Sequence, residues 1–237
     1  MAAVRNARFP TIRAVLFDAG GVLVVPDPFV LRKELAPFGA SDDPELYVRA
    51  HYAAMRAVHV HSTEHDDWMR YYQAFALTVG VQPTQAIEAA AVVHASYNPE
   101  LWSHPRPDAV DALRALYAAG IPIGVVSNAE GQIERVLRER AICHVGPGEA
   151  TRVHCIVDSS VVGVAKPDPA IFDHALPSLP AGIDRHEIAY VGDSYRNDVV
   201  GASAAGLIPF HLDPFDDHPD AAHRRIRSIA ELVTLVI

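Results

Sequence analysis

Ala14-Val15-Leu16-Phe17-Asp18-Ala19-Gly20-Gly21-Val22-Leu23 is the stretch on which the fold turns. Four β-compatible apolar residues end abruptly in one acid followed by glycines. This describes a buried strand whose tip faces a crevice, where ligands bind in open α/β sheets. Asp18 is therefore a candidate nucleophilic carboxylate. Two residues on, at Gly20, no second acid follows.

Working outward, the glycine pair permits a sharp reversal, and Val22 to Val25 reads as a short β segment ending at Pro26-Asp27-Pro28. From Phe29 to about Asn98 the apolar residues recur at helical spacing (Leu31, Leu35, Phe38; Trp68, Tyr71, Tyr72, Phe75), without a strong strand run. Alternating βα order resumes near Pro105. Val110, Leu113, Leu116 and Tyr117 mark a helix closed at Gly120, and Ile121 to Val126 is a buried strand ending at Ser127-Asn128. A helix at Ile133 to Leu137, an irregular stretch His144 to Arg152 and a strand Cys155 to Val157 follow. Lys166-Pro167-Asp168-Pro169 leads into a helix. Ile188 to Val191 is a strand ending at Gly192-Asp193, and a helix opens near Asp198 and closes at Gly206. Leu207 to Leu212 is a further strand, and Ser228-Ile229-Ala230-Glu231 has the capping-box pattern of a last helix. Strands separated by crossover helices imply an α/β fold: a doubly wound, Rossmann-like parallel sheet with an inserted all-helical unit. The expected division is a core of residues 1–26 and 101–237 and an insertion of residues 27–100.

Composition narrows the function classes. The 237 residues carry 20 basic and 29 acidic side chains, a formal charge of -9, and no Lys/Arg block stands out, so nucleic acid is not an expected partner. No apolar run approaches the roughly 18 residues of a membrane span, and the N-terminal residues lack a secretory pattern, which reads as cytoplasmic. Cys143 and Cys155 lack metal-ligand spacing and read as inert packing residues. Of the 20 basic residues, 18 are Arg and only Lys33 and Lys166 are Lys. A chain that otherwise chooses Arg keeps Lys where a compact ammonium differs from a planar fork.

Three buried strands end in polar residues, at Asp18, Ser127-Asn128 and Asp193, and in a parallel sheet these tips share one edge. Asp193 and Asp198 would join Asp18 as three carboxylates there. Such a cluster repels itself unless a cation holds it, and hard oxygen ligands suit Mg²⁺. Lys166 would keep Asp18 ionised and bind an anion, while the Ser127 hydroxyl and backbone groups near Gly21 and Asn128 could bond phosphate oxygens. Together these groups form an electrostatic clamp for developing negative charge.

Phe17 to Leu23, Val126-Ser127-Asn128, Val164 to Pro169 and Gly192-Asp193 through Asp198 resemble, in order, the motifs of the haloacid-dehalogenase-like hydrolases. The resemblance runs across nearly the whole chain, with a helical cap between the first two motifs. It implies a phosphatase-type member with Asp18 as covalent nucleophile and Ser127 and Lys166 orienting the phosphoryl group. It also implies Mg²⁺ held by Asp18, the carbonyl of Gly20, Asp193 and Asp198. The substrate implied is a small phosphorylated metabolite; oligomeric state is left open.

Gly20 departs from that pattern. Most phosphatases of this kind carry an Asp there that protonates the leaving oxygen, and losing such a group costs about a hundred- to ten-thousand-fold in rate. Glycine preserves the carbonyl but not the proton, which favours a good leaving group or an acid from the cap, where His51, His59, His61 and His65 cluster. Trp68, Tyr71, Tyr72 and Phe75 are expected in the cap core. Two alternatives remain: a dehalogenase using Asp18 on carbon, against which the retained Asp193 and Asp198 argue, and a catalytically weak member binding a ligand or partner through the same pocket.

Overall fold

Val15 and Phe17 pack into one hydrophobic cluster while Ala14 and Leu16 pack into another, so the first strand is covered on both faces. This is the two-sided burial that a continuous apolar run encodes. The computed structural model describes residues 11–61, 67–96 and 98–237. Its strands are β1 Ala14–Phe17, β2 Val24–Pro26, β3 Trp102–Pro105, β4 Ile123–Ser127, β5 Cys143–Val145, β6 Thr151–Val153, β7 Cys155–Asp158, β8 Ile188–Gly192, β9 Ile208–Leu212 and β10 Arg225–Ile226. Six of them form one sheet in the order β10-β9-β8-β1-β4-β7, and every neighbouring pair is parallel.

From β1 the chain builds outward through β4 to β7, then crosses to the other side and builds outward through β8, β9 and β10. The order reverses beside β1. Phe17 pairs with Val125 on one side and Val191 on the other, so the residues just beyond them, Asp18, Ser127 and Asp193, lie at one edge, the topological switch point. One face is packed by helix Pro107–Ala118 (through Leu113 and Leu116), Ile133–Glu139 and Ile229–Val236. The other is covered by Ile171, Phe172, Ala202 and Ala205.

Between β2 and β3, among the described residues, run four α-helices: α1 Pro28–Leu35, α2 Pro44–His61, α3 Asp67–Thr78 and α4 Ala86–Ala95. They have a hydrophobic cluster of their own, built on Leu31, Leu35, Tyr47, Tyr71, Tyr72 and Phe75. The antiparallel pair β2–β3 carries the chain out of the sheet and back. Among the described residues no helix is long and apolar enough to cross a membrane.

Some local expectations change. His144 to Arg152, read as irregular, begins and ends in β5 and β6, a separate parallel pair, because only its glycine-rich middle lacks strand formers. The helix expected near Asp198 opens earlier, at Tyr195, with Ser194 as its N-cap accepting from the Asn197 N–H at 3.3 Å. Trp68 is 58% exposed and not in the core of the insertion, whereas Tyr71, Tyr72 and Phe75 are buried. The last helix is capped by Ser228, but Glu231 reaches back to the Arg227 N–H and not to the Ser228 N–H.

The loop after β9 docks the insertion onto the sheet. Arg49 of α2 makes a two-pronged pair with Asp217, both bonds at 2.7 Å, and its guanidinium stacks over the Phe215 ring at 4.7 Å. Asp213 organises that loop by accepting from the Asp217 and His218 N–H groups at 2.8 and 3.0 Å and from Arg225 at 2.9 Å. Burial works to raise the Asp213 carboxyl, but these donors outweigh it and hold the group below the usual carboxylate range. A carboxylate depressed on folding stabilises the protein above its unfolded pKa and loses that contribution as pH falls through the folded value. Urea unfolding across pH should therefore show wild type more stable than Asp213→Asn at neutral pH, with the gap closing as the pH drops below about 4. A gap that stays constant into acid would contradict this assignment.

Candidate active site

Asp18 is fixed first through its backbone, whose N–H donates to the Val191 carbonyl at 2.8 Å and so continues the β1–β8 ladder to the strand tip. Among the described residues both contacts of its carboxylate fall on Oδ1, from the Ala19 N–H at 2.7 Å and from Lys166 Nζ at 2.9 Å. Lys166 Nζ also meets Asp198 Oδ1 at 2.7 Å and donates to the Tyr190 hydroxyl at 2.8 Å. That hydroxyl donates in turn to the Val126 carbonyl at 2.9 Å. The second oxygen of Asp198 accepts from the Ser194 N–H at 2.8 Å. The ammonium is thus held by two carboxylates and a phenol, in a side chain 1% exposed.

Asp193 is gripped from two directions. His211 donates from Nε2 to its main-chain carbonyl at 2.9 Å, while His51 of α2 meets its Oδ2 at 2.7 Å. The other ring nitrogen of His51 lies 2.8 Å from the Tyr71 hydroxyl. Burial raises the Tyr71 phenol well above its ordinary pKa and keeps its proton in place. The Asp193 carboxylate can only accept, so His51 donates Nε2–H to it, with the Tyr71 hydroxyl on the other ring nitrogen.

Asp18, Asp193 and Asp198 each offer a carboxylate oxygen within 4.8 Å of the others. Three buried acids face one ammonium. Burial first, then the Asp198 and Asp193 charges, push the Asp18 carboxyl up to about 7 against the pull of Lys166. In Lys166 itself, burial works to lower the pKa, but Asp18 and Asp198 more than compensate and raise it. The excess negative charge and the all-oxygen donor set fit a hard divalent cation, and these three residues could hold one.

A cavity of about 330 Å³ opens over Asp18, Gly20, Ser127, Lys166, Asp193 and Asp198, with His51, Trp68 and Trp102 of the insertion and its return strand on its wall. A second, of about 380 Å³, adjoins it and shares Met55, Trp68, Asp193, Ser194 and Asn197. Ser127, Lys166 and the three acids therefore converge, although up to 180 residues separate Asp18 from Asp198 in the chain.

Two expected phosphate-binding residues have other work. The Asn128 side chain donates to the Lys166 carbonyl at 2.9 Å and accepts from the Lys166 N–H at 2.8 Å, so its amide fixes the lysine's backbone. Gly21 gives its N–H to Val24 at 2.7 Å, and its carbonyl accepts from the Tyr52 hydroxyl at 2.6 Å. Arg106, paired with Asp108, bonds the same hydroxyl. Next to Gly20 the space is occupied by Trp102, two of whose ring carbons would lie 3.4 Å from a Cβ at that position. Of His51, His59, His61 and His65, His51 is the one whose side chain is described. His65 and the side chains of His59 and His61 lie outside the described residues.

Tyr190, Trp102 and His211 were not legible as site residues. Tyr190 reads as one more apolar member of a buried strand; a phenol fully inside such a strand needs a partner, and that was the available signal.

A family model described as haloacid dehalogenase-like hydrolase matches residues 12–206. The chain belongs to the haloacid dehalogenase-like hydrolases. This hydrolase is 30% identical over 176 residues to the glyceraldehyde 3-phosphate phosphatase of Methanopyrus kandleri, covering 69% of this chain and 71% of that one. It is 35% identical over 124 residues to the phosphoglycolate phosphatase of Rhodospirillum rubrum, covering 52% and 48%. In fold it is similar to the HAD-hydrolase YfnB of Bacillus subtilis, solved bound to magnesium, with a TM-score of 0.59 at 17% identity over 95% of this chain and 99% of that one.

Gly21 tests the packing of this hydrolase's site. Its φ of +69° disfavours side chains, and a Cβ would fall 2.1 Å from Asp193 Oδ2 and 2.6 Å from His51 Nε2. Gly21→Ala should destabilise the fold by at least about 1–2 kcal/mol from the left-handed backbone alone. Chemical denaturation giving an unchanged midpoint would refute the geometry.

Proposed function

We propose that this hydrolase is a Mg²⁺-dependent phosphatase that hydrolyses a small phosphorylated metabolite through an aspartyl-phosphate on Asp18. One observation carries the reading: Asp18 uses Oδ1 for both of its contacts, with Ala19 and Lys166, which leaves Oδ2 for attack at the crevice beside Asp193 and Asp198. The phosphatase relatives support the class of substrate.

In this reading Lys166 holds Asp18 through Oδ1, orients the attacking carboxylate and favours its ionised form against burial. An Oδ2 lone pair forms the new bond to phosphorus as the ester P–O bond breaks, and the leaving oxygen departs with the bonding pair. Ser127, buried at the β4 tip, and Lys166 bind the phosphoryl oxygens. Mg²⁺, held by Asp18, Asp193, Asp198 and the Gly20 carbonyl, would offset negative charge on the transferring group. Water then cleaves the aspartyl-phosphate, releasing phosphate and restoring Asp18. The helical insertion acts as the cap, with residues 1–26 and 101–237 as the core and 27–100 as the covering unit that excludes bulk water.

Gly20 shapes the expected kinetics. With no carboxylic acid at that position to deliver a proton, the leaving group carries more negative charge in the transition state, so acidic alcohols and phenols should be the better substrates. Across a series of phosphate monoesters, kcat/KM should rise steeply as the leaving-group pKa falls; a flat dependence would mean that another residue supplies the proton.

A panel of phosphate esters and 2-haloacids, assayed with and without chelator, tests the function itself. Chelator-sensitive phosphate release that falls at least about a thousandfold in Asp18→Asn is expected. Chelator-insensitive halide release would overturn the phosphatase reading in favour of attack on carbon.

A further inference from the structure

His51 is the one described histidine of the insertion that reaches the sheet edge, and its surroundings leave it little freedom. It is 1% exposed. The rings of Tyr52, Tyr71 and Trp102 stand edge-on around it, with centroids at 4.9, 5.9 and 5.2 Å. One ring nitrogen is engaged by Asp193 Oδ2 at 2.7 Å and the other by the Tyr71 hydroxyl at 2.8 Å. With both nitrogens engaged by protein groups, the ring is arranged for orientation.

We propose that His51 is a positioning residue for the metal site, acting through Asp193; the inference rests on the Mg²⁺-phosphatase reading above. A carboxylate at a strand tip can rotate about its side-chain bonds, and an entering cation needs one oxygen already aimed at it. The Nε2–H bond fixes Asp193 Oδ2, while the Tyr71 hydroxyl on the other ring nitrogen holds the imidazole that donates it. Partners that orient a ligand in this way typically change metal affinity by about 10- to 100-fold when removed. The arrangement also makes the site depend on the insertion. Asp18 and Asp198 are held by the core alone, through Lys166 and Tyr190, whereas Asp193 is oriented by a side chain from α2. The high-affinity cation site is complete only with the insertion docked.

Calorimetric Mg²⁺ titration of the substrate-free protein tests this with His51→Gln and His51→Asn. The glutamine amide nitrogen matches the Nε2 position and can donate to Asp193; the asparagine amide is one bond shorter and cannot. The expected result is affinity within about threefold of wild type for His51→Gln and a loss of about tenfold or more for His51→Asn, with both unfolding at the wild-type midpoint in chelator. Equal Mg²⁺ affinity in wild type and His51→Asn would overturn the positioning role while leaving the phosphatase reading intact. A wild-type protein that binds no Mg²⁺ would overturn both. A measurement on wild type alone guards against a variant that does not fold. In ¹⁵N-histidine-labelled protein, a slowly exchanging Nε2–H resonance absent from His51→Gln should shift on adding Mg²⁺, and its failure to shift would equally refute the proposal.

Discussion

A single ammonium group organises the sheet edge. Lys166 Nζ lies within 2.9 Å of Asp18 and 2.7 Å of Asp198, and it is buried with them. Charges taken out of water are costly unless each is paired and hydrogen-bonded, and here the Tyr190 hydroxyl and the Ala19 and Ser194 N–H groups complete the arrangement. Removing any one partner would leave a charge or a dipole without compensation. The polar cluster therefore constrains the backbone around it: the Lys166 loop must approach β4, and Asp198 must sit inside a helical turn facing β8.

That constraint explains the departures from simple helix grammar near the site. Asp198 could have been an N-cap by residue type, but capping would turn its carboxylate back onto the helix. Ser194 takes the cap, and Asp198 lies one turn in with one oxygen on Lys166 and the other on the Ser194 N–H. Gly192 has a matching role, because a Cβ there would collide with the Asp198 carboxylate at 2.1 Å. The π-helical winding of Tyr195–Val200 occurs where this carboxylate is delivered, in keeping with the association of such turns with functional sites.

The helical insertion contributes more than a wall. Three contacts from a single turn of α2 reach the core: Arg49 to Asp217, His51 to Asp193 and Tyr52 to the Gly21 carbonyl. Together they tie the loop after β9, the tip of β8 and the turn after β1 to one helix. Gly21 accommodates this because it lacks a side chain where Asp193 and His51 meet. Beside it, Trp102 fills the space next to Gly20, so the position without an acid is also one covered by an indole.

The parallel, doubly wound sheet was legible in the sequence because local patterns encode it: short apolar runs, helical periodicities and glycines at helix ends report directly on burial and backbone conformation. The convergence of Asp18, Ser127, Lys166, Asp193 and Asp198 was legible for the same reason, since parallel strands place all their tips at one edge. Only the tertiary structure decided what each polar group touches. Gly21 looks like a phosphate binder by position, yet its N–H goes to Val24 and its carbonyl to Tyr52, and the Asn128 side chain holds the Lys166 backbone. Trp68 has the spacing of a core residue and is exposed, whereas His51, one of several histidines of the insertion, is buried against Asp193. Periodicity tells which face of an element is apolar; it carries no information about which side chain from a distant element will meet a particular donor or acceptor. Those pairings depend on how the insertion docks on the sheet, and docking is a property of the whole chain.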